Sequence, residues 1–517
     1  MGDAGQSLLV LAAVMLLFMS GRVPVGIVAL GAGLSLAALG ILSTQQMLAG
    51  FGDPVVIMIA SLYIVAEGLD AAGVTARLGQ AIMRAGAASN QRLIMIIMLT
   101  VAGLTALINV NGAVAALVPM VVLIGARTLG PGRLLLPLAF AAHAGSLLTL
   151  TGTPVNMIIA EAAHDAGAGS FGYFEFALVG VPLVAGTCVI IMALGSRLIP
   201  ERALAAELPD LSQHEALMGE HYNIDERPLI TRDNGVVEVI VPPRSAHIGV
   251  RAFVGMITED EQYVVLGISR GGETLGRRPV ALQAGDVLLL RGRWDALQQL
   301  GVGASEVVSV DSADAIRRQA APAGMRGVIA LIIVGVMILA MATGIVPTVI
   351  AALLAAIAMR LSGIVTSAQA YRSISWSTIV LIAGMIPVSV ALTQTGAARL
   401  IADSIVDMVG GSGTYGLLAG LFVITAALGQ MISNTATALI MIPIGVSAAG
   451  DVGVAVPVVL MCIAIASAAS FLTPIATPAN MMVQQPAGYR FGDYWRLGLP
   501  LMLWFGIVAV LLVPQIW

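Results

Sequence analysis

Residues 473–480 read Thr-Pro-Ile-Ala-Thr-Pro-Ala-Asn, and residues 149–156, which stand 324 positions earlier, read Thr-Leu-Thr-Gly-Thr-Pro-Val-Asn. Both stretches interrupt apolar runs. A Thr-Pro-x-Asn sequence breaks a helix there, because proline removes a backbone donor and Thr and Asn offer side-chain bonds in place of the helical ones. The same offset pairs Ile108 with Ile432, Pro119 with Pro443, Ser146 with Ser470, Thr149 with Thr473 and Asn156 with Asn480. It also lays Leu-Ile-Asn-Val-Asn-Gly-Ala at 107–113 over the region of Met-Ile-Ser-Asn-Thr-Ala-Thr-Ala at 431–438. Each half therefore reads as a helical hairpin with a polar tip, followed by an apolar helix with a break in it.

The surroundings of these stretches are those of a membrane protein. Of the 517 residues 58% are hydrophobic and 10% charged, with a mean hydropathy of +0.96, whereas a soluble domain carries roughly 25% charged residues. The charges are concentrated: residues 198–325 hold 30 of the 54. The chain accordingly divides into a first transmembrane repeat (1–197), a hydrophilic insert (198–325) and a second transmembrane repeat (326–517). Every basic residue is arginine, which excludes a Schiff-base lysine and a Walker-type phosphate loop. No basic footprint for a nucleic acid is present. Cys188 and Cys462 fall one in each apolar half and read as core thiols, and the start of the chain reads as a retained span.

Arginine placement orients the chain by the positive-inside rule. Arg22, then Arg77, Arg84 and Arg92, then Arg127 and Arg133, and finally Arg197 and Arg202 mark alternate connections, while Ser43 to Asp53 and Glu161 to Glu175 contain none. These fall on one side only if Leu93 to Ala126 enters and leaves by the same face, as a re-entrant hairpin. The second hairpin, about Leu417 to Ser447, enters from the opposite face. The expected fold is thus an α-helical polytopic membrane protein, an inverted repeat with two re-entrant hairpins and two broken helices. The insert is expected in the cytoplasm, with both termini outside a bacterial-type inner membrane.

Non-helical backbone at membrane depth persists only where protein or a watery cavity satisfies it. Helix N-termini at such breaks present N–H donors and positive partial charge to an anion without a basic side chain. Unwound carbonyls together with Asn, Ser and Thr oxygens suit a hard cation. Isolated, such residues merely hold helices together, at about 0.6 kcal/mol per contact; four motifs on one offset point to a site. It comprises Asn109, Asn111, Thr153 and Asn156 facing Ser433, Asn434, Thr435, Thr477 and Asn480. His143 precedes the first break and pairs with Ser467 in the other half. A packing role, a proton-coupling role and a hydrogen bond to substrate all remain open for it.

On Ser433-Asn434-Thr435 and the two broken helices Thr153 to Asn156 and Thr477 to Asn480, the chain resembles the divalent anion:sodium symporter family of the ion transporter superfamily. The resemblance implies a sodium-coupled secondary transporter of a small divalent or carboxylated anion, a dicarboxylate, tricarboxylate or sulfate. It implies a homodimer in the lipid bilayer whose transport domain moves like an elevator. Carried over residue by residue, it assigns the anion to Asn109, Asn111, Thr153, Pro154, Asn434, Thr435, Thr477 and Pro478. Sodium falls to Asn109, Asn111, Gly152 and Asn156 in one half and to Ser433, Asn434, Ala476 and Asn480 in the other. Sodium is the one expected cofactor, with no organic cofactor in the membrane part. At the 324-residue offset the chain departs from the pattern at Val110, which stands opposite Asn434 and has no ligand oxygen, while a one-residue slip would set Asn109 in that place. That keeps a second reading in view, a proton-coupled or uniporting arsenite or oxyanion permease.

Within the insert, Val236 to Val241, Tyr263 to Ser269 and Val287 to Arg291 alternate like strands, with short helices expected at Ile248 to Met256 and Trp294 to Leu300. Val239-Ile-Val-Pro-Pro-Arg-Ser, Val264-Val-Leu-Gly-Ile-Ser-Arg-Gly-Gly-Glu and Leu282-Gln-Ala-Gly-Asp-Val-Leu-Leu-Leu-Arg-Gly resemble a small α+β TrkA-C domain, with a core at about 236–302. The resemblance implies dimerisation, with or without a small regulatory ligand. A TrkA-C-regulated channel is a third reading, against which stands the lack of a Thr-Val-Gly-Tyr-Gly-like filter. No catalytic constellation marks the chain as an enzyme.

Overall fold

The computed structural model describes residues 2–20, 22–75, 77, 89–200, 230, 234–243, 245–258, 261–270, 273–275, 278–299, 308–309, 325–409 and 413–517. Contacts divide the chain into one unit formed by Met1–Gly68, Leu78–Leu208 and Ala330–Trp517, and a second formed by Leu69–Arg77 and Pro209–Ile329. Arg84, Arg202, Arg244 and Gly271-Gly272 lie outside the described residues.

In the first repeat the helices are α1 (Asp3–Ser20), α2 (Val25–Ala38), α3 (Thr44–Ala49), α4 (Pro54–Ala71), α5 (Asn90–Leu107), α6 (Val110–Arg127), α7 (Pro131–Gly145), α8 (Pro154–Asp165) and α9 (Ala177–Leu198). Helices α5 and α6 are the arms of the first hairpin. The expected break parts α7 from α8, with a short 3₁₀ turn at Leu150–Gly152 between them. The second repeat, counted after the insert's helix α10 (Trp294–Gln299), runs α11 (Met325–Thr343), α12 (Thr348–Leu361), α13 (Ser367–Ser373), α14 (Trp376–Gln394), α15 (Ala397–Val409), α16 (Gly413–Gly429), α17 (Asn434–Val452), α18 (Val456–Ala468), α19 (Pro478–Ala487) and α20 (Tyr494–Ile507). Here α16 and α17 form the hairpin and α18 and α19 the broken pair. Among the described residues eight helices are long and apolar enough to cross a membrane.

The repeat extends beyond the motifs. Ser43 and Gln46 close a capping box at the start of α3, and Thr366 and Gln369, 323 residues later, close the same box at the start of α13. A reciprocal cap satisfies two orphan N–H donors and fixes where a short helix begins. Close approaches recur too. A Cβ on Gly180 of α9 would collide with the Leu147 carbonyl, and one on Gly498 of α20 with the carbonyl of Phe471, the repeat mate of Leu147. Glycine lets each flanking helix lie directly against the unwound backbone.

Helices α7 and α18 form the centre: all of α7 but Arg133 is buried, as is the run Val458–Ala468 of α18. The halves exchange their last segments across this centre. Helix α8 packs on α17 and α18 of the second repeat, while α19 packs on α6 and α7 of the first. Apolar side chains that remain exposed, such as Leu16 on α1, Leu339 on α11 and Leu503 on α20, suit a hydrocarbon surround, where they cost nothing.

The insert holds strands β1 (Asn234–Ile240), β2 (Arg251–Ala252), β3 (Tyr263–Arg270), β4 (Glu273–Leu275), β5 (Val280–Ala281), β6 (Val287–Arg293) and β7 (Val308–Ser309). Five of them make a sheet in the order β4-β3-β6-β1-β7, and β2 pairs with β5. Val236, Val237, Val239, Leu289 and Trp294 pack as its core. The helix expected at Ile248 to Met256 does not form. Gly249 and Gly255 take left-handed φ of 87° and 93°, which ends a helix at either point, and Arg251–Ala252 pairs instead with Val280–Ala281. Arg270 grips Asp286 through two nitrogens at 2.7 and 2.8 Å while the Gln283 N–H donates to the same carboxylate at 2.8 Å. The Arg270 fork holds the Asp286 carboxyl below the usual carboxylate range,.

Candidate functional site

A cavity of about 780 Å³ lies where the two hairpin tips meet the two breaks. Four helix N-termini border it. Helix α6 starts at Asn109, whose Oδ1 accepts from the Gly112 N–H at 2.8 Å, and α17 starts at Ser433, whose Oγ accepts from the Ala436 N–H at 3.3 Å. Helices α8 and α19 start at Thr153 and Thr477, each followed by proline at the first helical position. Proline suits that position because the first-turn N–H has no helical partner anyway. The positive ends of four helices are thereby directed at one volume, and among the described residues no lining side chain is charged,.

The breaks are held open by a hydrogen-bond set that repeats bond for bond. Asn156 Nδ2 donates to the carbonyls of Ser146 and Thr149, both at 2.8 Å; Asn480 Nδ2 donates to those of Ser470 and Thr473, at 2.8 and 3.1 Å. Thr149 donates to the Ala106 carbonyl at 2.6 Å and Thr473 to that of Gln430 at 3.0 Å, tying each break to its hairpin tip. These bonds satisfy the carbonyls that an interrupted helix leaves without donors.

Of the residues singled out from sequence, Asn109, Asn111, His143, Thr153, Pro154, Ser433, Asn434, Thr435, Ala476, Thr477 and Pro478 border the cavity. Gly152, Asn156 and Asn480 do not. They are buried behind it, where Asn156 and Asn480 act on the backbone of the breaks. Asn156 Oδ1 has no partner. His143, from α7, places Nε2 3.2 Å from both Asn480 Oδ1 and Thr477 Oγ1. Val110 lies on the cavity wall at the first tip, as Asn434 does at the second. The tips differ in backbone as well: Asn109 sits at φ 148°, ψ 164°, and Ser433 at an ordinary φ of −63°. The Asn109 conformation is one that only glycine adopts without cost.

Further residues shape the cavity. Ser470 donates to Asn434 Oδ1 at 2.6 Å, so this hydroxyl orients a cavity-lining amide. Gln430 closes the second tip, donating to the Ala426 and Ala469 carbonyls and accepting from the Leu472 N–H. Tyr63 of α4 and Ser375, Ser377 and Thr378 at the head of α14 also line the cavity. Ser470 was marked by its repeat mate Ser146, whereas Tyr63 and the α14 hydroxyls belong to helices without a motif.

Comparison with known proteins agrees with this architecture. The structure superposes with a TM-score of 0.52 on the crystal structure of the Alcanivorax borkumensis YdaH transporter, covering 93% of this chain and 88% of that one at 13% identity. An uncharacterised transporter of Escherichia coli (strain K12), YfbS, is 28% identical over an alignment that spans all of this chain and 99% of the relative. A probable sodium/sulfate cotransporter 3 of Chlamydomonas reinhardtii is 27% identical over 240 residues, 44% of this chain and 26% of that protein. The family model described as citrate transporter matches residues 15–459, most of the chain. Helical hairpins, paired breaks and a cavity ringed by helix N-termini are thus the frame of a membrane transporter, and this chain belongs to the citrate transporter family.

Proposed function

We propose that the protein is a sodium-coupled symporter of a small divalent or carboxylated anion, bound in the 780 Å³ cavity. One observation carries this reading: four helix N-termini converge on a volume that no charged side chain among the described residues lines. Such a site attracts an anion through N–H dipoles, and it leaves the anion's full charge to be balanced by cations bound alongside. The anion is assigned to Asn109, Asn111, Thr153, Pro154, Asn434, Thr435, Thr477 and Pro478. Sodium is assigned to Asn109, Asn111, Gly152 and Asn156 at the first tip and break, and to Ser433, Asn434, Ala476 and Asn480 at the second. The unpartnered Asn156 Oδ1 favours the first of these, and the sodium/sulfate cotransporter among the relatives favours the coupling ion. Movement follows an elevator course in a homodimer, with the insert in the cytoplasm acting as a TrkA-C dimerisation or ligand-sensing module.

The test is uptake of labelled sulfate, succinate and citrate into proteoliposomes with and without an inward sodium gradient. Accumulation of at least one of them above equilibrium only with sodium is expected; equal uptake in choline and sodium would refute coupling. A second reading, a proton-coupled or uniporting oxyanion permease, draws on Val110, which places an alkyl group at the first tip where Asn434 stands at the second. Accumulation of arsenite without sodium would favour it.

A further inference from the structure

Thr153 and Thr477 occupy the same place in the two repeats, yet their hydroxyls are not equivalent. Thr153 makes no side-chain cap bond. Thr477 Oγ1 accepts from the Asn480 N–H at 3.3 Å and also lies 3.2 Å from His143 Nε2, which reaches it from the other repeat. The ring's hydrogen is located by Asn480. Because Asn480 Nδ2 donates to two carbonyls, Oδ1 is the amide atom that faces the ring, and an amide oxygen only accepts,. Nε2 therefore carries the hydrogen and shares it between Asn480 Oδ1 and Thr477 Oγ1. Nδ1 is buried without a partner, and the ring stands edge-on to Phe471 at 5.9 Å. Both lone pairs of the Thr477 hydroxyl are then met by donors, from Asn480 N–H and His143 Nε2–H. All that the hydroxyl has left to offer is its own hydrogen, and Thr477 borders the cavity,.

We infer that His143 is a positioning residue for specificity: it makes Thr477 an obligate hydrogen-bond donor to the bound anion, while Thr153 stays able to donate or accept. The Thr477 end of the cavity then selects an oxygen without a hydrogen, as in a carboxylate or sulfate. It disfavours a protonated oxygen such as an undissociated hydroxyl of arsenite, which accepts more weakly than an ionised oxygen and whose own hydrogen finds no acceptor on Thr477. This inference deepens the transport reading and rests on it.

The experiment measures KM and Vmax for whichever of labelled sulfate, succinate and citrate the parent takes up, in His143→Met, His143→Gln, Thr477→Val and the double variant His143→Met/Thr477→Val. Methionine fills the space without a donor, whereas the glutamine amide restores one at similar reach. His143→Met is expected to raise KM about tenfold with Vmax within about twofold, and His143→Gln to recover most of that loss. The double variant is expected to be no worse than Thr477→Val, since both changes remove one interaction. If His143→Met does not fold, His143→Asn, whose amide is too short to reach Thr477, carries the same comparison. Additive losses, a His143→Met protein with the parental KM, or a His143→Gln protein as impaired as His143→Met would overturn the inference. Asn434→Ala and Thr435→Val are measured in parallel. If those also leave KM unchanged, the cavity is not the anion site and the transport reading of it falls; if they raise KM while the His143 variants do not, only the present inference falls.

Discussion

At the scale of single residues, the site is built from amides and hydroxyls whose orientations are fixed by neighbours. Asn434 shows this most directly. Its Oδ1 is held by Ser470, which turns the carboxamide N–H₂ away from that bond and leaves it at the cavity wall. Asn434→Ala is expected to weaken anion binding by about 1–3 kcal/mol, roughly 5- to 150-fold, because the cavity must desolvate its ligand and a lost donor is not replaced by water. A substrate-protection or uptake titration of that variant checks it, and an unchanged half-saturation would exclude Asn434 from the site. Val110→Asn is the converse change: adding an amide oxygen at the first tip should steepen the sodium dependence of uptake, read as a rise in the Hill coefficient toward about two. Residues of this kind were legible in the sequence because Ser, Thr and Asn are conspicuous in apolar runs and their offset is constant. The division of labour among them was not legible. Asn156 and Asn480 share the motifs with Thr153 and Thr477, but they reach backward to carbonyls ten and seven residues earlier, a geometry that only the folded break creates.

At the scale of elements, the breaks depend on what packs against them as much as on their own sequence. Gly180 and Gly498 allow α9 and α20 to touch the unwound backbone at Leu147 and Phe471. An added methyl at either glycine must push a whole helix aside, since the atom it meets is a carbonyl rather than a flexible side chain. Gly180→Ala and Gly498→Ala are each expected to destabilise the protein by about 1–3 kcal/mol through overpacking, visible as a lowered melting temperature in detergent. Gly103→Ala, where the added carbon meets nothing, should melt like the parent. Hairpins and broken helices followed from arginine placement, proline and repeat. The short α3 and α13 helices did not, although Ser43-x-x-Gln46 and Thr366-x-x-Gln369 carry a capping-box signature that marks both starts,. In the insert, Ile248 to Met256 has helix-compatible apolar spacing, but two left-handed glycines overrule it. The cavity walls from α1, α4 and α14 were hidden for another reason: a helix apolar on every side shows no preferred face.

At the scale of the molecule, the repeat predicts sidedness. Arginine-bearing and arginine-free connections alternate, so the insert and the connections at Arg22, Arg92 and Arg197 are expected on the cytoplasmic side. The check is labelling by an impermeant thiol reagent in a variant lacking Cys188 and Cys462, with a single cysteine introduced at Ser305, a position outside the described residues. No labelling on intact cells and full labelling after permeabilisation are expected; labelling of intact cells would reverse the orientation.

The absence of charged side chains among the described residues of the cavity lining has an electrical consequence. A moving binding site that carries a fixed charge must do work against the membrane field when it returns empty, about 2.3 kcal/mol per elementary charge for each 100 mV. Among the described residues this lining contributes none, and helix dipoles carry no net charge. On the proposed elevator course this lining would therefore add nothing to the voltage dependence of the empty return, and the loaded half would add the cargo's own charges. With the proposed coupling, net current per anion transported would then count the bound cations: none for a divalent anion with two sodium ions, one positive charge for each cation beyond that.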